Sequence, residues 1–191
     1  MLTIPVLYGS VRTERQGVRA ARYVVNRLKA RGHDAVLVDP AEKKLPLLDK
    51  LYSEYPAGEA PEPMEEIASL YRKSDGYMII SGEYNHNPPP ALTNLINHFL
   101  EGYAFRPSAI VSYSIGGFGG VRAVTPLRSL LPAVGMPSLP TTLAISKVHQ
   151  SLDEQGEPTD PKFDGRAEKF FTEFEWYARA LKAARAQGTP S

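Results

Sequence analysis

Cysteine is absent from this 191-residue chain, tryptophan occurs once and histidine four times. Without cysteine there are no disulfides, no thiolate metal ligands and no cysteine nucleophile of the phosphatase kind in the first loop. Nor is there an excess of charge, since 22 Lys and Arg stand against 21 Asp and Glu for a formal net charge of +1. A broad basic footprint for nucleic acid is therefore missing, and any anion has to be bound locally. No window approaches the roughly 18 apolar residues of a membrane span, and no basic segment precedes a long apolar stretch at the N-terminus. These absences predict a soluble, cytoplasmic protein with neither a membrane nor a nucleic-acid partner. What is present is globular composition, 42% apolar and 23% charged, at a length that suits one domain over residues 1–191.

Four short runs, Ile4 to Tyr8, Ala35 to Val38, Tyr77 to Ile80 and Ala109 to Tyr113, are rich in β-branched or aromatic residues and hardly alternate. They read as strands buried on both faces, with Thr141 to Ile145 a weaker fifth. Helical spacing lies between them, as in Val18, Ala21, Val25 and Leu28, or Leu92, Leu95, Ile96 and Phe99. Strand and helix alternate, which predicts an α/β domain: a doubly wound five-stranded parallel sheet with helices on both faces. In the last helix Phe163, Ala167, Phe170, Phe174, Tyr177 and Leu181 form one apolar stripe. Phe171 and Trp176 fall off it, which leaves a neighbouring loop or another subunit as their partner. Residues 40–62, with four prolines, read as a long irregular connection without a helix, and Gln150 to Pro161 as a second, polar loop. Pro5 has no N–H for a central strand, so it belongs near the strand's beginning or at a distortion.

Ligands of open α/β sheets bind beyond the carboxyl ends of the strands, where the winding reverses. Three loops there carry chemistry. "GSVRTERQG" offers the Ser10 hydroxyl, the guanidinium groups of Arg12 and Arg15, and the free N–H groups of a helix starting near Gly17. Those groups suit a phosphate. The competing reading makes Ser10 a helix cap and the arginines solvated, and no Walker or nucleophile-elbow pattern is present. "SGEYNHNPPPALTNLINHF" sets Glu83, Tyr84, Asn85 and His86 before three prolines, a stiff ledge for the edge of a flat heterocycle. Tyr84 as core, Asn85 as a turn residue and Glu83 as a surface carboxylate remain open. One lone histidine without a second at ligand spacing gives no metal site. "YSIGGFGGVRA" has four glycines in five positions, which let a backbone approach a ligand closely or simply make a flexible loop.

The three segments, in that order and separation, resemble the flavin-binding segments of the NAD(P)H-dependent FMN reductase family, whose fold is flavodoxin-like with strand order 2-1-3-4-5. The resemblance covers nearly the whole chain. It implies that Ser10, Arg12, Arg15, Gln16 and Gly17 hold the FMN phosphate. Glu83, Tyr84, Asn85 and His86 would border the isoalloxazine ring, and Ser114, Gly116 and Gly117 would line its other side. It further implies hydride transfer from NADPH or NADH to bound FMN and on to a flavin, quinone or similar small-molecule acceptor, with the chemistry residing in the cofactor and no catalytic side chain required. A homodimer or homotetramer is implied as well. Arg122 is placed to meet the ribose 2′-phosphate of NADPH, although a solvated helix-start arginine is the plainer role. Gly82 stands where the family usually has proline, Thr93 where it has lysine and Asn97 where an acid is frequent. The first change should loosen the ledge, and the other two remove an ion pair. A flavodoxin-like electron carrier or a flavin-binding regulatory module is the alternative, although carriers tend to be strongly acidic and this chain is not.

Overall fold

The computed structural model describes residues 1–190. Five strands, β1 (Thr3–Tyr8), β2 (Asp34–Val38), β3 (Tyr77–Ser81), β4 (Ser108–Tyr113) and β5 (Ser138–Ile145), pair in parallel in the order β2-β1-β3-β4-β5. The helices are α1 (Val18–Ala30), α2 (Pro40–Lys43), α3 (Glu62–Lys73), α4 (Pro90–Asn97), α5 (Val124–Ala133), α6 (Val148–Ser151) and α7 (Lys162–Ala186). Successive strand side chains point to opposite faces and so feed two cores. Ile4, Val6, Tyr8, Met78 and Ile80 meet α1 and α7, while Leu7, Ile79 and Ile110 meet α3, α4 and α5. Every position of β3 and β4 is buried, which accounts for the unbroken apolar runs that mark them in the sequence. The winding reverses between β1 and β3, so their carboxyl ends open a crevice.

The segment 40–62 departs from the expectation of a wholly irregular connection. Asp39 accepts a hydrogen bond from the Ala41 N–H at 2.9 Å, and Pro40 occupies the first helical position, starting the one-turn helix α2. A further turn of 3-10 helix covers Tyr52–Glu54. Asn94 of α4 holds the rest, accepting from the Leu48 N–H and donating to the Pro46 carbonyl. Pro5 is accommodated because pairing of β1 with β3 begins one residue later, at Val6 and Met78. Phe171 needs no external partner, since it is buried with its ring 6.0 Å from that of Tyr23 on α1. Trp176 is 65% exposed.

The polar segment after α6 is strapped to α1. Arg19, Arg22 and Asn26 donate to the carbonyls of Leu152, Glu154 and Gln155. Gly156 makes the close approach possible: its φ is +86°, and a Cβ there would stand 2.4 Å from the Tyr23 nitrogen and 2.9 Å from the Arg19 carbonyl oxygen. Neither backbone atom can yield without bending α1. Gly156→Ala is expected to cost about 2–5 kcal/mol, combining left-handed strain with overpacking, read as a lowered urea midpoint by circular dichroism. A midpoint within 0.3 M of the parent, roughly a 0.5 kcal/mol effect at ordinary slopes, would contradict this account of the strap.

Candidate active site

At the β1/β3 crevice lies a cavity of about 410 Å³, lined from the loop after β1 by Ser10, Arg12, Glu14, Arg15, Gln16 and Gly17. Gly82, Glu83 and Tyr84 line it from the loop after β3, and Tyr113, Ser114 and Ile115 from the end of β4. The three loops singled out in the sequence thus converge on one space. Asn85, His86, Gly116 and Gly117 are exposed and lie outside the lining.

The first loop divides its two arginines between different tasks. Arg15 donates both terminal nitrogens to the two carboxylate oxygens of Asp39 at 2.5 Å, and also donates to the Ser10 carbonyl at 3.0 Å. Burial pulls the Arg15 guanidinium toward its neutral form, but the Asp39 bonds outweigh this and hold it above its ordinary value. Its charge is spent inside the protein, so it is a brace for the loop. Arg12 is exposed and has no carboxylate within ion-pair distance among the described residues. Glu14 is the one carboxylate of the loop and is exposed beside it. The backbone N–H groups of Gln16 and Gly17, ahead of α1, find no acceptor among the described residues, and they lie at the positive end of that helix. Asp39 is 1% exposed and lies outside the three loops that the sequence singles out. The Asp39-Pro40 pair, a helix cap followed by a first-turn proline, was the signal available.

In the second loop Asn85 and His86 both have positive φ, +52° and +67°. Tyr84 and Asn87 close around them with two backbone hydrogen bonds of 2.9 and 3.1 Å. This is a tight turn of the mirror-image kind that asparagine tolerates, so Asn85 and His86 form its tip at the edge of the cavity. Glu83 accepts from the Arg122 backbone N–H at 3.1 Å and faces its guanidinium at 3.5 Å. That ion pair ties the second loop to the third, and the Arg122 guanidinium also lies 4.9 Å from the Phe118 ring centre. Arg122 is therefore neither simply solvated nor unengaged. In the third loop Ser114 accepts from the Gly119 N–H and donates to the Gly116 carbonyl, both at 2.8 Å. The left-handed residues there are Gly119 and Gly120, whereas Gly116 and Gly117 face open space.

The floor of the cavity is a set of hydroxyls. Ser10 Oγ and Tyr84 OH are 3.1 Å apart, and the Tyr113 hydroxyl donates to that of Tyr8, buried beneath the floor, at 3.5 Å. Burial, reinforced by Tyr8, pushes the Tyr113 phenol far up, so it stays protonated. Burial likewise raises Tyr8. Among the described residues no group of three or more His, Asp or Glu is placed to hold a metal ion, and no helix is long and apolar enough to cross a membrane.

A flavin mononucleotide suits this donor set. Arg12 and two amides without acceptors among the described residues are donors of the kind a phosphate takes, and the hydroxyls and loop backbone are of the kind a polyol and a ring edge take. Fold and site together define a flavodoxin-like flavoprotein. A model of the NADPH-dependent FMN reductase family matches residues 2–150, and the chain belongs to that family. It is accordingly an NAD(P)H- and FMN-dependent oxidoreductase. An NADPH azoreductase of Bacillus sp. strain OY1-2 is 23% identical over 142 residues, covering 74% of this chain and 75% of that protein. A quinone reductase of Pseudomonas putida strain KT2440 is 29% identical over 143 residues, covering 72% and 73%. Among solved structures, the flavoenzyme NAD(P)H:(acceptor) oxidoreductase FerB of Paracoccus denitrificans superposes with a TM-score of 0.76 at 21% identity, over 96% of this chain and 98% of that one. The helix α7 lies beyond the matched family segment.

Proposed function

We propose that the cavity at the β1/β3 crevice binds FMN, and that the enzyme uses NADPH or NADH to reduce a small-molecule acceptor of the quinone class. The observation that carries the assignment is the set of unengaged donors at the head of α1: the Arg12 guanidinium and the amides of Gln16 and Gly17. Ser10 accepts the Arg12 N–H at 3.4 Å, which shapes the loop around the anion, and Arg15 braces it through Asp39. Glu83, Tyr84 and the turn at Asn85 and His86 border the ring on one side. Ser114, Gly116 and Gly117 border it on the other, their open backbone allowing close approach.

When bound, FMN supplies the two-electron chemistry, and the protein orients it. Backbone N–H groups of the second and third loops would stabilise negative charge on a flavin held there, a preorganised effect of a few kcal/mol. The Glu83–Arg122 pair holds these two loops at a fixed separation. Ile115, which lines the cavity and is 60% exposed, gives the mouth an apolar rim, and Phe118, 71% exposed on the same loop, extends an apolar surface suited to a flat aromatic acceptor and to the second subunit of a cytoplasmic homodimer or homotetramer. Quinone reductase relatives support the acceptor class.

The test is direct. The FMN-reconstituted protein is mixed anaerobically with NADPH or NADH, and the oxidised-flavin absorbance bleaches and then returns on addition of a benzoquinone. A bound flavin that NAD(P)H does not bleach rejects the reductase reading, and a bleached flavin that quinone does not reoxidise rejects the acceptor.

A further inference from the structure

The sequence departs from its family at Gly82, and the structure shows what uses the room. A Cβ at Gly82 would lie 3.1 Å from the Tyr113 hydroxyl and 3.2 Å from its Cζ. A Cβ at Gly17 would lie 1.9 Å from Tyr113 Cζ and 2.4 Å from its hydroxyl oxygen. One phenol therefore fills the space beside two residues without side chains, the first at the head of α1 and the second at the end of β3. Glycine at 82, expected from the sequence to loosen the ledge, is also the residue against which Tyr113 packs.

We propose that Tyr113 is a flavin-binding residue whose hydroxyl oxygen accepts a hydrogen bond from the polyol of the cofactor. This rests on the FMN reading of the cavity. Tyr113 touches Gly17, beside the phosphate donors, and Gly82, beside the ring-bordering loop. The segment of ligand joining a phosphate to a heterocycle has to cross the interval between these two points. In FMN that segment is a chain of secondary alcohols, and a phenol is both donor and acceptor for an alcohol. Tyr113 lines the cavity, whereas Tyr8 is fully buried and does not. The Tyr113 hydroxyl donates to the Tyr8 hydroxyl beneath it at 3.5 Å. With its proton on Tyr8, the Tyr113 oxygen still has lone-pair capacity to accept from an alcohol in the cavity. Ser10 Oγ and Tyr84 OH pair with each other at 3.1 Å on the neighbouring stretch of floor.

Binding of three flavins separates this role from mere packing. FMN has phosphate, polyol and ring; riboflavin lacks the phosphate; lumiflavin lacks both phosphate and polyol. Dissociation constants come from quenching of flavin fluorescence by the wild-type protein and by Tyr113→Phe, which keeps the ring and removes the hydroxyl. FMN and riboflavin should each bind about tenfold more weakly to Tyr113→Phe, the order of one neutral hydrogen bond, and lumiflavin should be unchanged. Equal losses for all three flavins would assign Tyr113 to ring packing, and no loss for any would leave the hydroxyl without a ligand role; either overturns the proposal. An unchanged melting temperature of the flavin-free variant confirms that the fold is intact. If the wild-type protein binds none of the three, it is the FMN reading that fails, and this inference falls with it. If the wild type binds FMN and the substitution is silent, only the role of Tyr113 fails.

Discussion

Arg12→Ala is expected to weaken FMN binding by about 10- to 100-fold while leaving riboflavin affinity within about twofold. A charge-assisted hydrogen bond to phosphate contributes roughly 1.5–3 kcal/mol, and each 1.4 kcal/mol is a factor of ten. The selectivity follows from the position of Arg12 in the loop ahead of α1, exposed and free of any carboxylate among the described residues. It also follows from how little else in the loop carries net positive charge. Arg15 is matched by Asp39, and the remaining phosphate donors are neutral amides. Stability should hardly change, because an exposed side chain without partners contributes little to the fold. Fluorescence titration with both flavins checks the prediction, and equal losses for FMN and riboflavin would remove Arg12 from the phosphate site.

Asp39→Ala has its main effect on the apoprotein. Asp39 is 1% exposed, bonds both Arg15 nitrogens and caps α2 through the Ala41 N–H. Removing one partner of a buried ion pair costs about 3–5 kcal/mol when the other charge is stranded. The Arg15 side chain keeps 18% exposure, so water screens part of that cost. Adding the lost cap, about 1 kcal/mol, gives a net destabilisation of about 3 kcal/mol, or a fall of roughly 6–12 °C in melting temperature at this chain length. The double variant Asp39→Ala with Arg15→Met should regain a substantial part of the loss, because it no longer leaves an unpaired guanidinium. A double variant no more stable than Asp39→Ala alone would show that the ion pair is not the source. Both proteins should also bind FMN more weakly, since the loop that carries Arg12 loses its brace.

The fold was legible wherever burial imposed a simple pattern. Strands covered on both faces must be apolar at every position, and β3 and β4 are; helices with one buried face show a stripe, as Phe163, Phe170 and Phe174 do on α7. Features decided by a partner distant in the chain were not legible. Phe171 lies off the stripe and is buried nonetheless, because α1 supplies Tyr23 where periodicity within α7 shows nothing. The one-turn helix α2 escaped notice because four residues are too few for a period and its start is marked only by Asp39 and Pro40.

The active-site loops show the same division. Residue types alone implied a phosphate cup at Ser10 to Gly17 and a ledge at Glu83 to His86. They could not tell which arginine was free. Arg12 and Arg15 are chemically identical and three residues apart; only the parallel pairing of β1 with β2 brings Asp39 to the foot of the loop and neutralises one of them.

What the sequence determined by itself is the α/β class, the winding, the three-loop crevice and the family, since each depends on local residue types repeated in order along the chain. Tertiary structure alone decided that Arg15 braces while Arg12 stays available, that Glu83 latches to Arg122, and that Tyr113 occupies the space left at Gly17 and Gly82. These are contacts between groups 24 to 96 residues apart. Short-range pattern cannot encode them, because charge pairing and excluded volume act through space once the sheet has brought its strand ends together.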